Sequence, residues 1–223
     1  MRKDIAILFD LDGTLLDTLE DLADATNHIM EQFGFPKRTV EEVRRFVGNG
    51  AKRLIVQAIP EDASAETAEE AFSAFQSYYR ANCQHKTRPY DGIPEVLEQL
   101  KREGYPMAIV SNKPDTAVQP LRDLYFPGLY AQGEQPGCPR KPAPDMVFRA
   151  AKALGVAPEN CIYVGDSEVD VITAKNADMA CISVLWGFRD KQEIREAGGG
   201  HFCTAPVEIP EIVKQLEGMI RGK

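Results

Sequence analysis

The stretch Ile5-Ala6-Ile7-Leu8-Phe9-Asp10-Leu11-Asp12-Gly13-Thr14 decides the fold. Its first five residues are apolar without a break, where a half-exposed strand would alternate. An unbroken run of that length predicts a central strand covered on both faces, as in a parallel sheet. The run stops in Asp10-Leu-Asp12-Gly-Thr14. Two carboxylates two residues apart at the end of a buried strand are costly unless a cation sits with them. In open α/β sheets that edge is where ligands bind.

Working outward, similar apolar runs recur at residues 107–110, 161–164 and 180–185. Helical patterns lie between them. Residues 93–103 carry Pro94 in the first turn and stop at Gly104. Residues 145–154 set Val147, Phe148, Ala151 and Leu154 on one face and stop at Gly155. Residues 169–177 form another short helix. Strands alternating with helices predict βαβ units, and so a doubly wound α/β fold with a mainly parallel sheet.

One block breaks the alternation. From about residue 18 to residue 83 the pattern is helix only. Leu19, Leu22, Ala23, Ile29, Met30 and Phe33 form one stripe, stopped by Gly34. Thr39 and Glu42 have the spacing of a capping box. Residues 51–59 predict a third helix. Residues 68–81, with Ala71, Phe72, Phe75, Tyr78 and Tyr79, predict a fourth. This is the pattern of an inserted helical domain. The expected division is 1–16 and 87–223 for the core and 17–86 for the insertion. The hinges fall at residues 15–18 and 86–92.

The 223 residues are 43% hydrophobic and 27% charged, an ordinary globular mixture that excludes a disordered or fibrous chain. The net charge of −8 argues against general binding to nucleic acid or to anionic membranes. No apolar run approaches the roughly 18 residues of a membrane span. The basic start Met1-Arg2-Lys3 is followed by too short an apolar stretch for a signal peptide, so a cytoplasmic protein is expected. The cysteines, Cys83, Cys138, Cys161, Cys181 and Cys203, are odd in number and scattered, which agrees with a reducing compartment. Cys161 and Cys181 fall in apolar runs and are expected as buried thiols.

Mg²⁺ is the natural cation for Asp10 and Asp12, because it takes hard oxygen ligands. One of the two carboxylates can then attack phosphorus while the other handles protons. Gly13 permits a tight turn. Ser111, at the end of the second apolar run in Ser111-Asn112-Lys113, can bond a phosphate oxygen. Lys141 stands in Lys-Pro-Ala-Pro-Asp, stiffened by two prolines. Asp166 follows the third run and completes a Mg²⁺ site, or caps the next helix. Asp170 orients the site from behind. All four segments point to one edge of one sheet. His28, His85 and His201 have no ligand partners at zinc spacing. Ser111 lies outside a G-x-S-x-G elbow, which argues against a serine hydrolase.

In this order the segments resemble the four motifs of the haloacid dehalogenase superfamily phosphatases: residues 10–18, Ser111-Asn-Lys113, Lys141-Pro-x-Pro144 and Gly165-Asp-Ser-x-x-Asp170. The resemblance covers essentially the whole chain, and the helical insertion is similar to that family's α-helical cap. It implies Asp10 as the nucleophile that forms an aspartyl-phosphate. It implies Asp12 as the proton donor to the leaving alcohol and then the base for water. Ser111 and Lys141 would hold the phosphoryl group. Asp10, the Asp12 carbonyl and Asp166 would bind Mg²⁺, with Asp170 alongside. Gly13, Thr14 and Asn112 are the further expected substrate contacts. An acid at position 12 favours an oxygen leaving group over a halide.

For the substrate, Phe46-Val-Gly48-Asn49-Gly50-Ala-Lys-Arg53-Leu54 resembles the cap loop of phosphoglycolate phosphatases. Gly50 and Arg53 are expected to meet a small carboxylate, or else to form an inter-helix turn with a solvated Arg. Trp186, in a segment that resembles the same subgroup, either walls the pocket or joins the core. Asp178 departs from the usual glycine-type turn and is expected in a left-handed conformation. Residues 132–138 form an unusual Pro/Gly-rich approach to Lys141. The expected function is Mg²⁺-dependent hydrolysis of a small phosphate ester, 2-phosphoglycolate first. A nucleotide or sugar phosphatase, a pyrophosphatase, a phosphosugar mutase and a non-catalytic phosphate-binding module stand as alternatives. A homodimer is left open.

Overall fold

The computed structural model describes residues 3–222; Met1 and Arg2 of the basic start and Lys223 lie outside them. In chain order the elements are β1 (Ala6–Phe9), β2 (Leu16–Asp17), α1 (Leu19–Gln32), α2 (Val40–Phe46), α3 (Ala51–Ala58), α4 (Ala65–Asn82), β3 (Arg88–Pro89), α5 (Ile93–Arg102) and β4 (Met107–Pro114). There follow α6 (Asp115–Tyr125), β5 (Tyr130–Glu134), α7 (Asp145–Leu154), β6 (Cys161–Gly165), α8 (Glu168–Asn176), β7 (Ala180–Val184), α9 (Lys191–Glu196), β8 (His201–Cys203) and α10 (Ile209–Arg221).

Six strands form one sheet in the order β5-β4-β1-β6-β7-β8. Every neighbouring pair is parallel. β1 is central, and the period of two in a strand divides its residues between two packed layers. Ile7 and Phe9 join a core with Ile109, Val164, Ile182 and Val184. Ala6 and Leu8 face the opposite layer, with Val147, Ala150, Ala151 and Tyr163. All four residues of β1 are fully buried, as its unbroken apolar run requires.

The two-residue strands β2 and β3, read as hinges, and the strand β5 were not expected from the sequence. β5, Tyr-Ala-Gln-Gly-Glu, is an edge strand that begins in an exposed residue and has no apolar run to mark it. Gln132 and Glu134 pair with Val110 and Pro114 of β4, so the Pro/Gly-rich approach to Lys141 begins inside the sheet. β8 is three residues long. The face of α7 also differs: Met146, Val147, Ala150 and Ala151 are buried. Phe148 is 40% exposed, because a step of 100° from Val147 carries it past the sheet-facing side. Cys161 is buried and Cys181 only half-buried, and both are free thiols. Asp178 has φ 55°, in the left-handed region.

The four helices of the insertion stand between β2 and β3, and these two strands pair with each other antiparallel, Leu16 with Pro89 and Asp17 with Arg88. The two connections are thus bonded to one another. Asp21, buried at the start of α1, accepts from the backbone N–H groups of Lys86 and Thr87 at 2.8–3.0 Å. The Thr39–Glu42 capping box opens α2 as its spacing predicts. Ala71, Phe75 and Tyr79 are the buried side of α4, while Phe72 and Tyr78 are half-buried. Among the described residues no helix is long and apolar enough to cross a membrane.

Candidate active site

Because the strands are parallel, β1, β4 and β6 run to the same edge, where the residues just beyond β1 and β6 meet the second half of β4. A cleft opens between that edge and the helical insertion. From the core it is lined by Asp10, Asp12, Ser111, Asn112, Lys113, Asp166, Phe188 and Arg189. From the insertion it is lined by Leu22, Val47, Gly48, Gly50, Ala51, Leu54, Phe75 and Tyr79.

At the floor, Lys141 is 2% exposed. Its ammonium lies 2.9 Å from Asp10 Oδ1 and 2.8 Å from Asp170 Oδ1, and donates to Tyr163 Oη at 2.9 Å. Burial opposes its charge, yet the surrounding oxygens outweigh burial and hold its pKa well above the usual lysine value. Asp170 also accepts from the backbone N–H and hydroxyl of Ser167, so it serves the lysine and the start of α8 together.

Asp10, Asp166 and Asp170 are all buried, with carboxylate oxygens within 4.8 Å of one another. Burial, partly offset by Lys141, pushes Asp10 up to about 7. Burial, then Asp170 and Asp10, push Asp166 well above the usual carboxylate range. Asp10 Oδ1 also lacks an aligned hydrogen bond, despite its ion pair with Lys141. Crowded, desolvated carboxylates of this kind fit a small divalent cation, which would keep them ionised and use hard oxygen donors.

The sequence-predicted residues divide into three groups. Asp10, Asp12, Ser111, Asn112, Gly50 and Asp166 line the cleft, with Lys141 and Asp170 immediately beneath. Gly13 and Thr14 do not line it. The Thr14 hydroxyl donates to Asp166 Oδ1 at 3.2 Å, and Gly13, at φ 82°, leaves the space that Asp166 fills. Both residues thus bear on Asp166, which also accepts from Phe188 N at 2.7 Å. Arg53 is exposed and does not line the cleft. The inward side of α3 is Leu54, Ile55 and Ala58, and Arg53 falls off that side by helical phase. Trp186 does not line the cleft either; its indole N–H donates to the carbonyl of Thr14 at 3.1 Å.

Three residues at the cleft had no role from sequence. Lys113 donates to Asp12 Oδ1 at 2.7 Å and to Tyr79 Oη at 2.6 Å. Arg189 crosses from the core and donates to the carbonyls of Arg44, Arg45 and Val47, with its Nε bonded to Glu168. Buried Lys and Arg occur almost only when paired, so a lysine three positions past a buried apolar run was the available signal for Lys113. Nothing local marks Tyr79 or Arg189.

Comparison with known proteins agrees with this geometry. A family profile described as haloacid dehalogenase-like hydrolase matches residues 7–184. The chain is 35% identical over 198 residues to phosphoglycolate phosphatase 1 of Pseudomonas aeruginosa, covering 85% of this chain and 72% of that one. It is 32% identical to the phosphoglycolate phosphatase of Nitrosococcus oceani, covering 96% of this chain and 99% of that one. A crystal structure from Lactobacillus delbrueckii subsp. bulgaricus, provisionally described as a phosphoglycolate phosphatase, superposes with a TM-score of 0.89 at 36% identity, covering 95% and 98% of the two chains. Strand order, site and relatives converge: the chain belongs to the haloacid dehalogenase-like hydrolase family, and within it to the phosphatases.

Proposed function

We propose that the protein hydrolyses 2-phosphoglycolate with the aid of Mg²⁺, through a phosphoryl group carried on Asp10. The observation that carries this reading is that the carboxylates of Asp10 and Asp12, the hydroxyl-bearing Ser111 and the metal candidate Asp166 line one small cleft, with Lys141 against Asp10 beneath it. The names of the relatives carry the choice of substrate. Residues 17–86 act as the cap, and residues 1–16 and 87–223 as the catalytic core.

In the proposed reaction an Asp10 oxygen attacks phosphorus and the bond to the glycolate oxygen breaks. That oxygen takes a proton from Asp12. Water then attacks the phosphorus of the acyl phosphate, gives its proton to Asp12, and releases phosphate and free Asp10. Ser111 and Lys141 hold the equatorial phosphoryl oxygens throughout. Asp10, the Asp12 carbonyl, Asp166 and Asp170 would hold or orient Mg²⁺, which when bound supplies positive charge against the phosphoryl oxygens.

The test is kcat/KM over 2-phosphoglycolate, nucleotide monophosphates, sugar phosphates and pyrophosphate, with Mg²⁺ and with EDTA. The expected result is a peak at 2-phosphoglycolate that EDTA abolishes. A flat or shifted profile rejects the substrate. Turnover by Asp10→Asn within about tenfold of the unmodified protein rejects the covalent route, since removal of a nucleophile costs orders of magnitude more.

A further inference from the structure

A phosphatase for a short hydroxyacid ester must hold two anionic groups, and the cations described so far account for one. Lys141 is surrounded by Asp10, Asp170 and Tyr163 at the phosphoryl end. Arg189 spends its guanidinium on Glu168 and on three backbone carbonyls of the insertion. Arg53 is exposed and off the cleft. Lys113 is the remaining cation among the cleft-lining residues.

Its surroundings suit a receptor. The side chain of Lys113 is 2% exposed, so it is held rather than solvated. An ammonium carries three N–H donors. Among the described residues it donates to two oxygens, those of Asp12 and Tyr79. The Tyr79 hydroxyl accepts from Lys113 and still has its own hydrogen to donate. Burial keeps that phenol protonated, because it raises the tyrosine pKa further above its ordinary value. Tyr79 is itself fixed, its ring stacked on Phe75 at 5.3 Å between centroids and 4.6 Å beneath the Lys113 ammonium. The rest of the insertion's lining is Leu22, Val47, Ala51, Leu54, Phe75 and two glycines, which offer no charged group.

We infer that Lys113 and Tyr79 form a two-point receptor for the carboxylate of the leaving group, one N–H from the core and one O–H from the insertion. This rests on the phosphatase reading proposed above and names the residues that select within it. A leaving group whose oxygen lies at Asp12 necessarily has its substituent near Lys113, because Lys113 touches Asp12. The site therefore selects esters of short 2-hydroxy acids over esters of neutral alcohols of the same size. Because Tyr79 is on α4 and Lys113 on β4, such an anion also ties the insertion to the core.

The experiment compares kcat/KM of the unmodified protein, Lys113→Met and Tyr79→Phe with Mg²⁺ on 2-phosphoglycolate, ethyl phosphate and p-nitrophenyl phosphate. The first two share an alkoxide leaving group and so demand the same of Asp12; the third demands little. Lys113→Met is expected to lose about 30-fold more on 2-phosphoglycolate than on ethyl phosphate, the size of a charge-assisted hydrogen bond. Tyr79→Phe is expected to lose about fivefold more on the same comparison. Equal losses on 2-phosphoglycolate and ethyl phosphate, with p-nitrophenyl phosphate spared, would overturn the receptor and leave Lys113 as a support for Asp12 alone. Preference of the unmodified protein for another ester with an anionic leaving group, lost in Lys113→Met, would discard glycolate and keep the receptor. Tyr79→Phe removes a single hydroxyl and keeps the ring packing, so it decides the matter even where Lys113→Met fails to fold.

Discussion

Arg189 Nη2 donates to the carbonyl of Val47 at 2.6 Å, joining a residue just beyond β7 to the turn that follows α2, 142 positions away in sequence. The same guanidinium reaches the carbonyls of Arg44 and Arg45. The last carbonyls of a helix have no partner within it, so Arg189 serves as the C-terminal cap of α2 from another part of the fold. Asn112 adds a second tie, donating to the carbonyl of Gly48 at 3.1 Å and to that of Lys141 at 2.9 Å. Between them they seat the turn over the corner of the cleft beside Asn112 and Lys141.

Arg189→Met should therefore destabilise the protein by about 2–4 kcal/mol, since it leaves Glu168 and the turn carbonyls without their donor. It should also lower kcat/KM on every ester by about tenfold or more, because the turn that closes the cleft is no longer seated. Thermal melts alongside steady-state kinetics check both effects. An unchanged melt with unchanged kinetics would refute the capping role.

Arg53→Ala should leave kcat/KM on 2-phosphoglycolate within about twofold and stability within about 0.5 kcal/mol, as for exposed positions away from special features. The sequence motif leads to the opposite expectation. A large selective loss on 2-phosphoglycolate would return the carboxylate contact to the α2–α3 loop.

Gly13→Ala should cost about 2–4 kcal/mol and most of the activity. The position has φ 82°, and an added Cβ would stand 2.4 Å from Asp166 Oδ2 and 2.8 Å from its Cγ. The displaced carboxylate is one of the three that fit a cation. The rise in melting temperature on adding Mg²⁺, expected for the unmodified protein by linkage, should shrink in this variant. A full Mg²⁺-dependent shift in Gly13→Ala would separate Asp166 from the metal.

Far from the cleft, Glu217 accepts from Tyr105 Oη at 2.5 Å and from Lys3 at 2.6 Å. Burial alone would raise the Glu217 pKa, but Lys3 and Tyr105 outweigh burial and hold it below its ordinary value of 4.5. A depressed carboxylate pKa stabilises the fold above the unfolded value, and that contribution is lost as pH falls through the folded one. Glu217→Gln should thus lower stability by about 1–3 kcal/mol at pH 7, with the difference from the unmodified protein shrinking as pH falls below about 4.5. Denaturant melts at several pH values measure it; a difference that grows on acidification would reverse the sign.

The sheet and the chemistry at its edge were legible in sequence because both are local. An unbroken apolar run states that a strand is covered on both faces, and the residue that ends the run stands at the strand's end. Asp10 and Asp166 owe their place at one edge to that rule, whereas Ser111 reaches the same cleft from within β4, which runs on to Pro114. The capping box at Thr39 and the left-handed turn at Asp178 are legible on the same ground, since spacing and residue type act within a few positions. β5 was not legible, because an edge strand of mixed polarity has no period to distinguish it from loop.

What sequence alone determined is thus the α/β class, the helical insertion and the residues at the strand ends. Tertiary structure alone decided which side chains meet across the cleft. Arg53 turned outward because the phase of α3 is set by packing Leu54, Ile55 and Ala58 inward. Thr14 turned to Asp166. Lys113 on β4 met Tyr79 on α4, 34 positions away and on the other side of the cleft. The physical reason is that element type follows local pattern, whereas a side chain's partner follows from how two finished elements pack, and packing depends on the whole core at once.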